Sequence, residues 1–267
     1  MKNRKEILEV EGTNAVKEMN RGVAAFFDLD GTLVALPSLE RTLFRTLRYQ
    51  GLIGAKNYLS WLKEAVRLMP RGIITVLHAN KMYLRGQASA PPRRNPRLPV
   101  PTFFVQAIER VAWHAQQVHE IVLVSGTLEL LARNTARALE AELDARGIAV
   151  TVRVRATRLE EMNGQWTGRI LGEAMFGEAK VRAARSLASE LHLDLARCYA
   201  YGDSMSDRWL LAEVGKPAAV NPLEDFAAMA RARGWPILVW EEKEILTQRR
   251  RERRGIAEKK EESSAIA

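Results

Sequence analysis

Cysteine is nearly absent from this chain of 267 residues: the single Cys198 excludes any internal disulfide, which is typical of a reducing compartment. Long hydrophobic runs are absent too. No window of about 18 residues is free of charge, so no membrane-spanning helix is expected. The N-terminal residues alternate in charge and have no apolar stretch of signal-peptide length. These absences predict a soluble, cytoplasmic protein.

The composition is that of a folded protein. The apolar fraction of 47% is enough for a sizeable core and argues against disorder over most of the length. A chain of 267 residues accommodates one large domain, or one domain with a smaller inserted domain.

Acidic residues are scarce in one segment. Residues 36–97 contain 12 Lys/Arg and 2 Asp/Glu, whereas the rest of the chain contains 29 and 30, so the net charge of +9 arises in this segment. Such a segment favours an anionic partner, which leaves open a phosphorylated substrate, an anionic membrane surface and nucleic acid. A solvated basic face is an equal alternative. The basic C-terminal run has no accompanying recognition motif, so no specific nucleic-acid partner is predicted.

Apolar patterns predict strands that alternate with helices. Runs of strand length at 22–30, 120–127 and 150–159 are separated by segments of helical period, which favours a parallel sheet with right-handed crossovers. Residues 163–170 predict a hairpin around Asn-Gly.

Helical periodicity follows the first strand directly. It forms three apolar stripes, which are Leu39, Leu43 and Leu47; Tyr58, Trp61, Leu62, Ala65, Val66 and Met69; and Ile73, Ile74, Leu77 and Met82. Half of the ten prolines then lie in 87–101, which predicts an extended return linker. The predicted division is an arm at 1–20, a core at 21–35 and 102–246, an inserted helical domain at 36–101 and a charged tail at 247–267.

Polar clusters follow the predicted strands at the edge where an open parallel sheet binds its ligands. They are DLDGT (28–32), SGT (125–127) and GDSMSD (202–207), and Lys180 opens the helix before the last. Each alone has a plain explanation: a turn, a helix cap or a capped loop. Their occurrence together at strand ends favours a site.

Carboxylates dominate these clusters, and oxygen is the ligand that Mg²⁺ prefers. Asp28, Asp203 and Asp207 are candidate metal ligands, since crowded carboxylates repel one another unless a cation neutralises them. A carboxylate beside a bound phosphate can attack phosphorus, and a second carboxyl group two residues on, at Asp30, can protonate the leaving oxygen.

Small hydroxyls, backbone N–H groups and one lysine complete the candidate site. Thr32, Ser125 and Gly126 can hold phosphoryl oxygens, and Lys180 can offset the negative charge that gathers during phosphoryl transfer.

The segments DLDGT, VLVSGT, GEAK and YGDSMSD together resemble the four signatures of the haloacid dehalogenase-like superfamily. The helical insertion after the first signature is similar to that of subfamily IB, which contains phosphoserine phosphatase. The resemblance implies an α/β fold with a Rossmann-like core, a central parallel sheet and a small helical cap. It also implies a magnesium-dependent phosphomonoesterase acting on a small phosphorylated substrate.

The resemblance assigns a role to each residue. Asp28 would be the nucleophile and Asp30 the acid/base, while Ser125 and Lys180 would bind phosphate. Asp203 would ligate Mg²⁺ together with Asp28 and the Asp30 carbonyl, and Asp207 would support the metal site. An acid at position 30 favours a phosphatase over the dehalogenases and transporting ATPases of the superfamily.

The sequence of the cap does not identify the substrate. Phosphoserine phosphatases carry a glutamate shortly after the first signature, but Glu40 lies three positions later, which puts phosphoserine in doubt. Arg41, Arg45, Arg48 and Trp61 favour a larger or more anionic substrate, or a layer resting on lipid headgroups. Alternatively, the leucines and aromatics of the cap simply form its core. The second functional hypothesis is therefore a membrane-peripheral phosphatase or phosphate-binding module for a lipid-linked or other anionic phosphate. No oligomeric state is predicted.

Overall fold

The structure, a computed structural model, describes residues 20–35, 38–89 and 101–241. The predicted arm apart from its last residue, residues 90–100 of the predicted linker and the predicted tail lie outside the described residues. No helix within the described residues is long and apolar enough to cross a membrane.

A six-stranded parallel sheet forms the centre of the molecule, in the order β3-β2-β1-β6-β7-β8. Its strands are β1 (Ala24–Phe27), β2 (Glu120–Leu128), β3 (Val152–Thr157), β6 (Tyr199–Gly202), β7 (Lys216–Val220) and β8 (Ile237–Leu238). All four residues of β1 are buried, as expected for a central strand covered on both faces. The predicted α/β class with a central parallel sheet is confirmed.

Helices cover both faces of the sheet. Because successive strand residues point to opposite faces, Phe27 packs in one apolar cluster with residues of α4 and α5, whereas Phe26 packs in another with residues of α6, α7 and α8. These helices are α4 (Val105–Gln116), α5 (Glu129–Asp144), α6 (Glu178–Leu191), α7 (Arg208–Glu213) and α8 (Glu224–Ala232).

A small group of helices lies between β1 and α4 in the chain. It comprises α1 (Leu39–Tyr49), α2 (Ala55–Leu68) and α3 (Ile73–Ala79), with short 3-10 turns at Met69–Arg71 and Met82–Leu84. The chain enters and leaves this group side by side, since Ala35 N–H donates to the Thr102 carbonyl at 2.9 Å and Phe104 N–H to the Leu33 carbonyl at 3.1 Å. We call residues 38–89 the cap; the exact domain boundaries stay a prediction.

The predicted apolar stripes of the cap differ in burial. Leu39, Leu43 and Leu47 of α1 are buried, as a core-facing stripe should be. In contrast, most apolar residues of α2 and α3 are exposed, and the small cluster between these two helices buries only Ala65, Leu68 and Val76. The interpretation of the second and third stripes as cap core is therefore wrong for most of their members.

An antiparallel hairpin, β4 (Leu159–Met162) and β5 (Gln165–Ile170), projects from the core. Its turn is the predicted Asn163-Gly164 pair, and both residues have positive φ. The predicted strand at 150–159 thus divides into β3 and the start of β4. The last part of the cap pairs with this hairpin, because Gly86 N–H donates to the Trp166 carbonyl at 2.8 Å and Trp166 N–H to the Gln87 carbonyl at 2.8 Å.

Candidate active site

The order of the strands brings the predicted site residues to one edge of the sheet. β1 lies between β2 and β6, and Asp28 follows β1 directly. Ser125 lies near the end of β2, and Asp203 follows β6. Asp28 N–H donates to the Tyr201 carbonyl at 2.9 Å, which continues the pairing of β1 with β6 up to the site. Three segments that are far apart in sequence therefore meet here.

Three carboxylates converge at this edge. One oxygen each from Asp28, Asp203 and Asp207 lies within 4.8 Å of the others. The loop after β1 must pass very close to Asp203, and Gly31 makes this possible. Its φ is +83°, and a Cβ at this position would collide with Oδ2 of Asp203.

Lys180 joins two of the carboxylates. Its Nζ donates to Oδ1 of Asp28 and to Oδ1 of Asp207, both at 2.5 Å, and its side chain is only 2% exposed. The other oxygen of Asp207 accepts from the backbone N–H of Ser204 at 3.1 Å and from its hydroxyl at 2.7 Å. Asp207 thus orients Lys180 and the Ser204 loop, while Asp28 and Asp203 line the cavity.

The protein alone does not neutralise this cluster. Burial raises the pKa of Asp28 to about 7, with Lys180 opposing the shift and Asp207 adding to it. Burial also raises the pKa of Asp203 to about 8, and the charges of Asp28 and Asp207 contribute. Burial would lower the pKa of Lys180, but the two carboxylates outweigh it and the pKa lies above its ordinary value. The site has more buried acid than base, which fits a divalent cation.

Asp30 occupies a different position. Its Oδ1 accepts from the backbone N–H of Leu39 at 2.9 Å, at the first residue of α1. Burial raises its pKa, and the hydrogen bond from Leu39 opposes the shift. A carboxyl group with a raised pKa can carry the proton that a general acid needs. The contact also joins the loop after β1 directly to the cap.

Small polar groups line the opposite side of the site. Ser125, Gly126 and Thr127 border the cavity, and Ser125 Oγ accepts from Thr127 N–H at 3.3 Å. Within the part of the chain that the structure describes, the buried side-chain atoms without a hydrogen-bond partner are the hydroxyls of Thr32 and Thr127. Such groups are costly unless a ligand or water satisfies them. Sequence reasoning missed Thr127, although it stands in the quoted SGT cluster.

The carboxylates open into a cavity of about 720 Å³ between core and cap. Asp28, Asp30, Lys180 and Asp203 lie at its floor. Among the cap residues proposed from sequence, Arg41 and Trp61 line it, whereas Arg45 and Arg48 are exposed on α1 and are not among the described lining residues. Sequence reasoning did not identify the remaining cap residues of the lining, which include Phe44, Tyr58, Leu77, His78, Asn80, Lys81 and Tyr83.

Glu40 is the carboxylate of the cap that faces this cavity, and it is already bound. Lys81 Nζ lies 2.6 and 2.8 Å from its two oxygens, and the Tyr83 hydroxyl donates to Oε1 at 2.6 Å. Lys81 is buried, so this ion pair is shielded from water. Burial, together with proximity to the Glu40 carboxylate, raises the pKa of Tyr83. No sequence pattern linked these residues, which lie about 40 positions apart.

Comparison with known proteins agrees with this geometry. The sequence model of the family described as haloacid dehalogenase-like hydrolase matches residues 25–212. A relative in Streptomyces azureus, named inhibition of morphological differentiation protein, is 32% identical over 85% of this chain and 81% of its own length. A probable phosphatase of Mycobacterium tuberculosis is 29% identical over 80% of this chain and 74% of its own.

A solved structure extends the comparison to the fold. It is a phospho-aspartyl intermediate analogue of phosphoserine phosphatase, with a TM-score of 0.54 and 18% identity over 85% of this chain and 99% of that one. The chain therefore belongs to the haloacid dehalogenase-like hydrolase family and has a phosphoserine phosphatase-like fold. The resemblance inferred from the four motifs is confirmed, as is the prediction of a hydrolytic enzyme of this phosphatase-containing family.

Proposed function

We propose that this chain is a magnesium-dependent phosphatase that hydrolyses a phosphomonoester through an aspartyl-phosphate on Asp28. The observation that carries the proposal is the separation of the two acids of the first motif. Asp28 is bound by Lys180 within the three-carboxylate cluster, whereas Asp30 is held apart by the N–H of Leu39. Two carboxyl groups in different surroundings can serve as nucleophile and as acid/base.

The reaction has two steps. In the first, an oxygen of Asp28 forms a bond to phosphorus while the bond to the ester oxygen breaks, and Asp30 gives its proton to that oxygen. In the second, Asp30 takes a proton from water as the water oxygen attacks phosphorus, which releases phosphate and restores Asp28. The raised pKa of Asp30 suits the first step, since the acid must be protonated when the alcohol leaves.

The residues present fit Mg²⁺. Asp28 and Asp203 offer carboxylate oxygens, and the family resemblance adds the Asp30 carbonyl; oxygens of this kind are the hard donors that this ion takes. When bound, the cation would neutralise the excess of buried carboxylates and the charge of the phosphoryl group. Asp207 would support the site through Lys180 and Ser204.

The hydroxyl and amide groups opposite the carboxylates would hold the phosphoryl oxygens. Ser125, Gly126 and Thr127 border the cavity, and Lys180 supplies positive charge beside Asp28. The unpartnered hydroxyl of Thr127 supports this assignment, because an oxygen of a bound phosphate or water would satisfy it. Thr32 is buried and is not among the residues that line the cavity, so its contact with phosphate rests on the sequence motif.

The test is hydrolysis of a generic aryl phosphate by the full chain with and without Mg²⁺. We expect turnover that EDTA abolishes, and a loss of at least about a thousandfold in Asp28→Asn and in Asp30→Asn. Asp144→Asn is the matched control, since Asp144 is exposed at the end of α5. Undiminished turnover in Asp28→Asn would remove Asp28 from its role.

One specific observation favours a second candidate function, which is a phosphatase or phosphate-binding module at a membrane surface. The basic segment predicted from sequence coincides with the cap, and most apolar residues of its helices α2 and α3 are exposed. A cytoplasmic location and the lack of a specific nucleic-acid partner stay predictions.

A further inference from the structure

The cap exposes an unusual amount of apolar side chain. Ten of the seventeen large apolar residues that are exposed in the described part of the chain lie between residues 49 and 77. Scattered exposed leucines are ordinary, but a concentration of this kind marks an interaction surface.

Most of these residues share the surface of two neighbouring helices. On α2, Tyr58, Leu62 and Val66 are spaced by four residues, so they follow one another along one side of the helix. On α3, Ile73 and Ile74 precede Leu77 by four and three residues. We call this surface the apolar face of the cap: Tyr58, Leu59, Leu62, Val66, Met69, Ile73, Ile74 and Leu77.

Most basic residues of the cap are unpaired within the range that the structure describes. The cap contains nine basic and two acidic residues, and both acids are in ion pairs, Glu40 with Lys81 and Glu64 with Arg67. Within the described residues, the other basic residues of the cap form no ion pair: Arg41, Arg45, Arg48, Lys56, Lys63, Arg71 and Arg85. Three of them, Lys56, Lys63 and Arg85, line a concave surface together with Leu59. An apolar surface bordered by cations is complementary to an anionic lipid bilayer, where side chains enter the interface and cations meet the headgroups.

The apolar face continues into the active-site cavity. Tyr58 and Leu77 belong to both, and Phe44, Trp61 and Phe176 extend the apolar lining inward toward the carboxylates. Glu40 is neutralised by Lys81 and accepts from Tyr83, so it offers no free charge to a substrate ammonium group. The cavity therefore favours an apolar substituent on the phosphate over a zwitterionic one.

We infer that the apolar face of the cap docks on an anionic lipid bilayer, and that the substrate is a phosphomonoester whose hydrocarbon tail comes from that bilayer. The inference rests on the proposed function, since it names the substrate class of the same site. The tail lies against the aromatic lining while the phosphate reaches Asp28.

Docking is tested by co-sedimentation of the full-length protein with vesicles of phosphatidylcholine, alone or mixed with phosphatidylglycerol. We expect binding to the anionic vesicles that is about tenfold tighter than to the neutral ones and that weakens at high salt. The double variant Leu62→Glu/Ile74→Glu should bind about tenfold more weakly, because charged side chains replace apolar ones at the interface. Leu223→Glu, at an exposed leucine of the core, is the matched control and should bind like the wild type.

Substrate class is tested with alkyl phosphates of increasing chain length, from butyl to dodecyl. We expect kcat/KM to rise at least about tenfold from butyl to dodecyl phosphate, since each buried methylene adds to binding. The kcat/KM for phosphoserine should lie below the values of this series. Leu62→Glu/Ile74→Glu should leave aryl phosphate turnover unchanged, which shows that the variant is folded.

The outcomes separate this inference from the proposed function. If aryl phosphate turnover is normal but the protein does not bind anionic vesicles, the inference is overturned and the proposed function stands. The same conclusion follows if turnover is normal but kcat/KM does not depend on the alkyl chain length. A dimer in light scattering that Leu62→Glu/Ile74→Glu converts to a monomer, with no vesicle binding, shows that a second copy covers the face and also overturns it. If the protein has no phosphatase activity on any of these substrates, the proposed function is contradicted, and the inference about its substrate fails with it.

Discussion

Lys180 determines the electrostatics of the candidate site. It is buried between Asp28 and Asp207, so its ammonium group compensates two carboxylates that water does not reach. In such an arrangement the loss of one partner leaves an uncompensated buried charge, which costs far more than the pair contributes. Under the proposed function, the same residue would also contact the phosphoryl group, so one substitution would affect both stability and activity.

Replacement of this lysine should therefore reduce stability as well as activity. We expect Lys180→Met to lower the free energy of unfolding by about 3–5 kcal/mol in urea titration. Adding Asp207→Asn should recover part of the loss, because one uncompensated carboxylate is removed. Arg182→Met is the control, since this exposed arginine on the same helix pairs with Glu173 in solvent. Equal losses in Lys180→Met and Arg182→Met would contradict the account.

Gly31 is the second residue on which the site depends. Gly31→Ala would incur the cost of positive φ and would also displace Asp203. We expect loss of both aryl phosphate turnover and the Mg²⁺-dependent rise in melting temperature. Gly147→Ala isolates the first effect, because Gly147 also has positive φ but has open space around its Cβ position. That variant should be slightly destabilised and remain active, and similar activities in the two variants would be the contrary result.

At the scale of the elements, a buried histidine pair joins α4, β2 and β6. Nδ1 of His114 lies 2.8 Å from Nδ1 of His119, and its Nε2 lies 2.9 Å from the Tyr201 hydroxyl. Burial, with the neighbouring His119, lowers the pKa of His114 to about 2. Burial, with Lys216, lowers the pKa of His119 to about 4. Both imidazoles are therefore neutral in the folded protein at neutral pH.

This pair should make the fold sensitive to acid. The unfolded chain takes up protons on these histidines near pH 6.5, whereas the folded chain does not until about pH 4, so stability falls as the pH decreases through this window. The raised pKa values of Asp28 and Asp203 act in the opposite direction in the metal-free protein. We therefore compare wild type with His114→Gln/His119→Gln by urea titration at saturating Mg²⁺. The free energy of unfolding of the variant should decrease less than that of the wild type between pH 6.5 and 5. If both decrease by the same amount, the histidine pair does not cause the sensitivity to acid.

Another connection between elements involves α1. Its first backbone N–H binds Asp30, and Glu40 one residue later binds Lys81 and Tyr83 from the far end of the cap. The start of α1 therefore contacts Asp30, which is the proposed acid/base, as well as the cavity and the return of the cap. A movement of the cap would change the surroundings of Asp30 as well as access to the cavity.

At the scale of the whole molecule, the residues and elements that could be predicted are those marked by a pattern in the neighbouring sequence. Asp28, Ser125 and Asp203 stand where apolar runs of strand length end, and parallel strands bring their carboxyl ends to one edge. Lys180 was singled out because it opens the helix before the last cluster, and the motif resemblance then assigned it to phosphate binding. Helix α8 was not predicted, although its buried residues Phe226, Ala227 and Ala230 lie on one helical face.

The cap could not be predicted to the same depth. Periodicity places helices there but does not tell which apolar stripe is buried, and Tyr58, Leu62 and Val66 are exposed where a core was one of the expectations. The ion pair of Glu40 with Lys81 spans 41 positions and has no local pattern. Such contacts depend on the packing of the cap against the hairpin.

The central claim is that Asp28 becomes transiently phosphorylated. The most direct measurement is mass spectrometry of peptides from protein quenched in acid during turnover of an aryl phosphate with Mg²⁺. We expect one added phosphoryl group on the peptide that contains Asp28. The phosphorylated fraction should be higher in Asp30→Asn, because hydrolysis of the aspartyl-phosphate is slowed in this variant. Turnover of wild type with phosphate on no residue, or on a residue other than Asp28, would contradict the account.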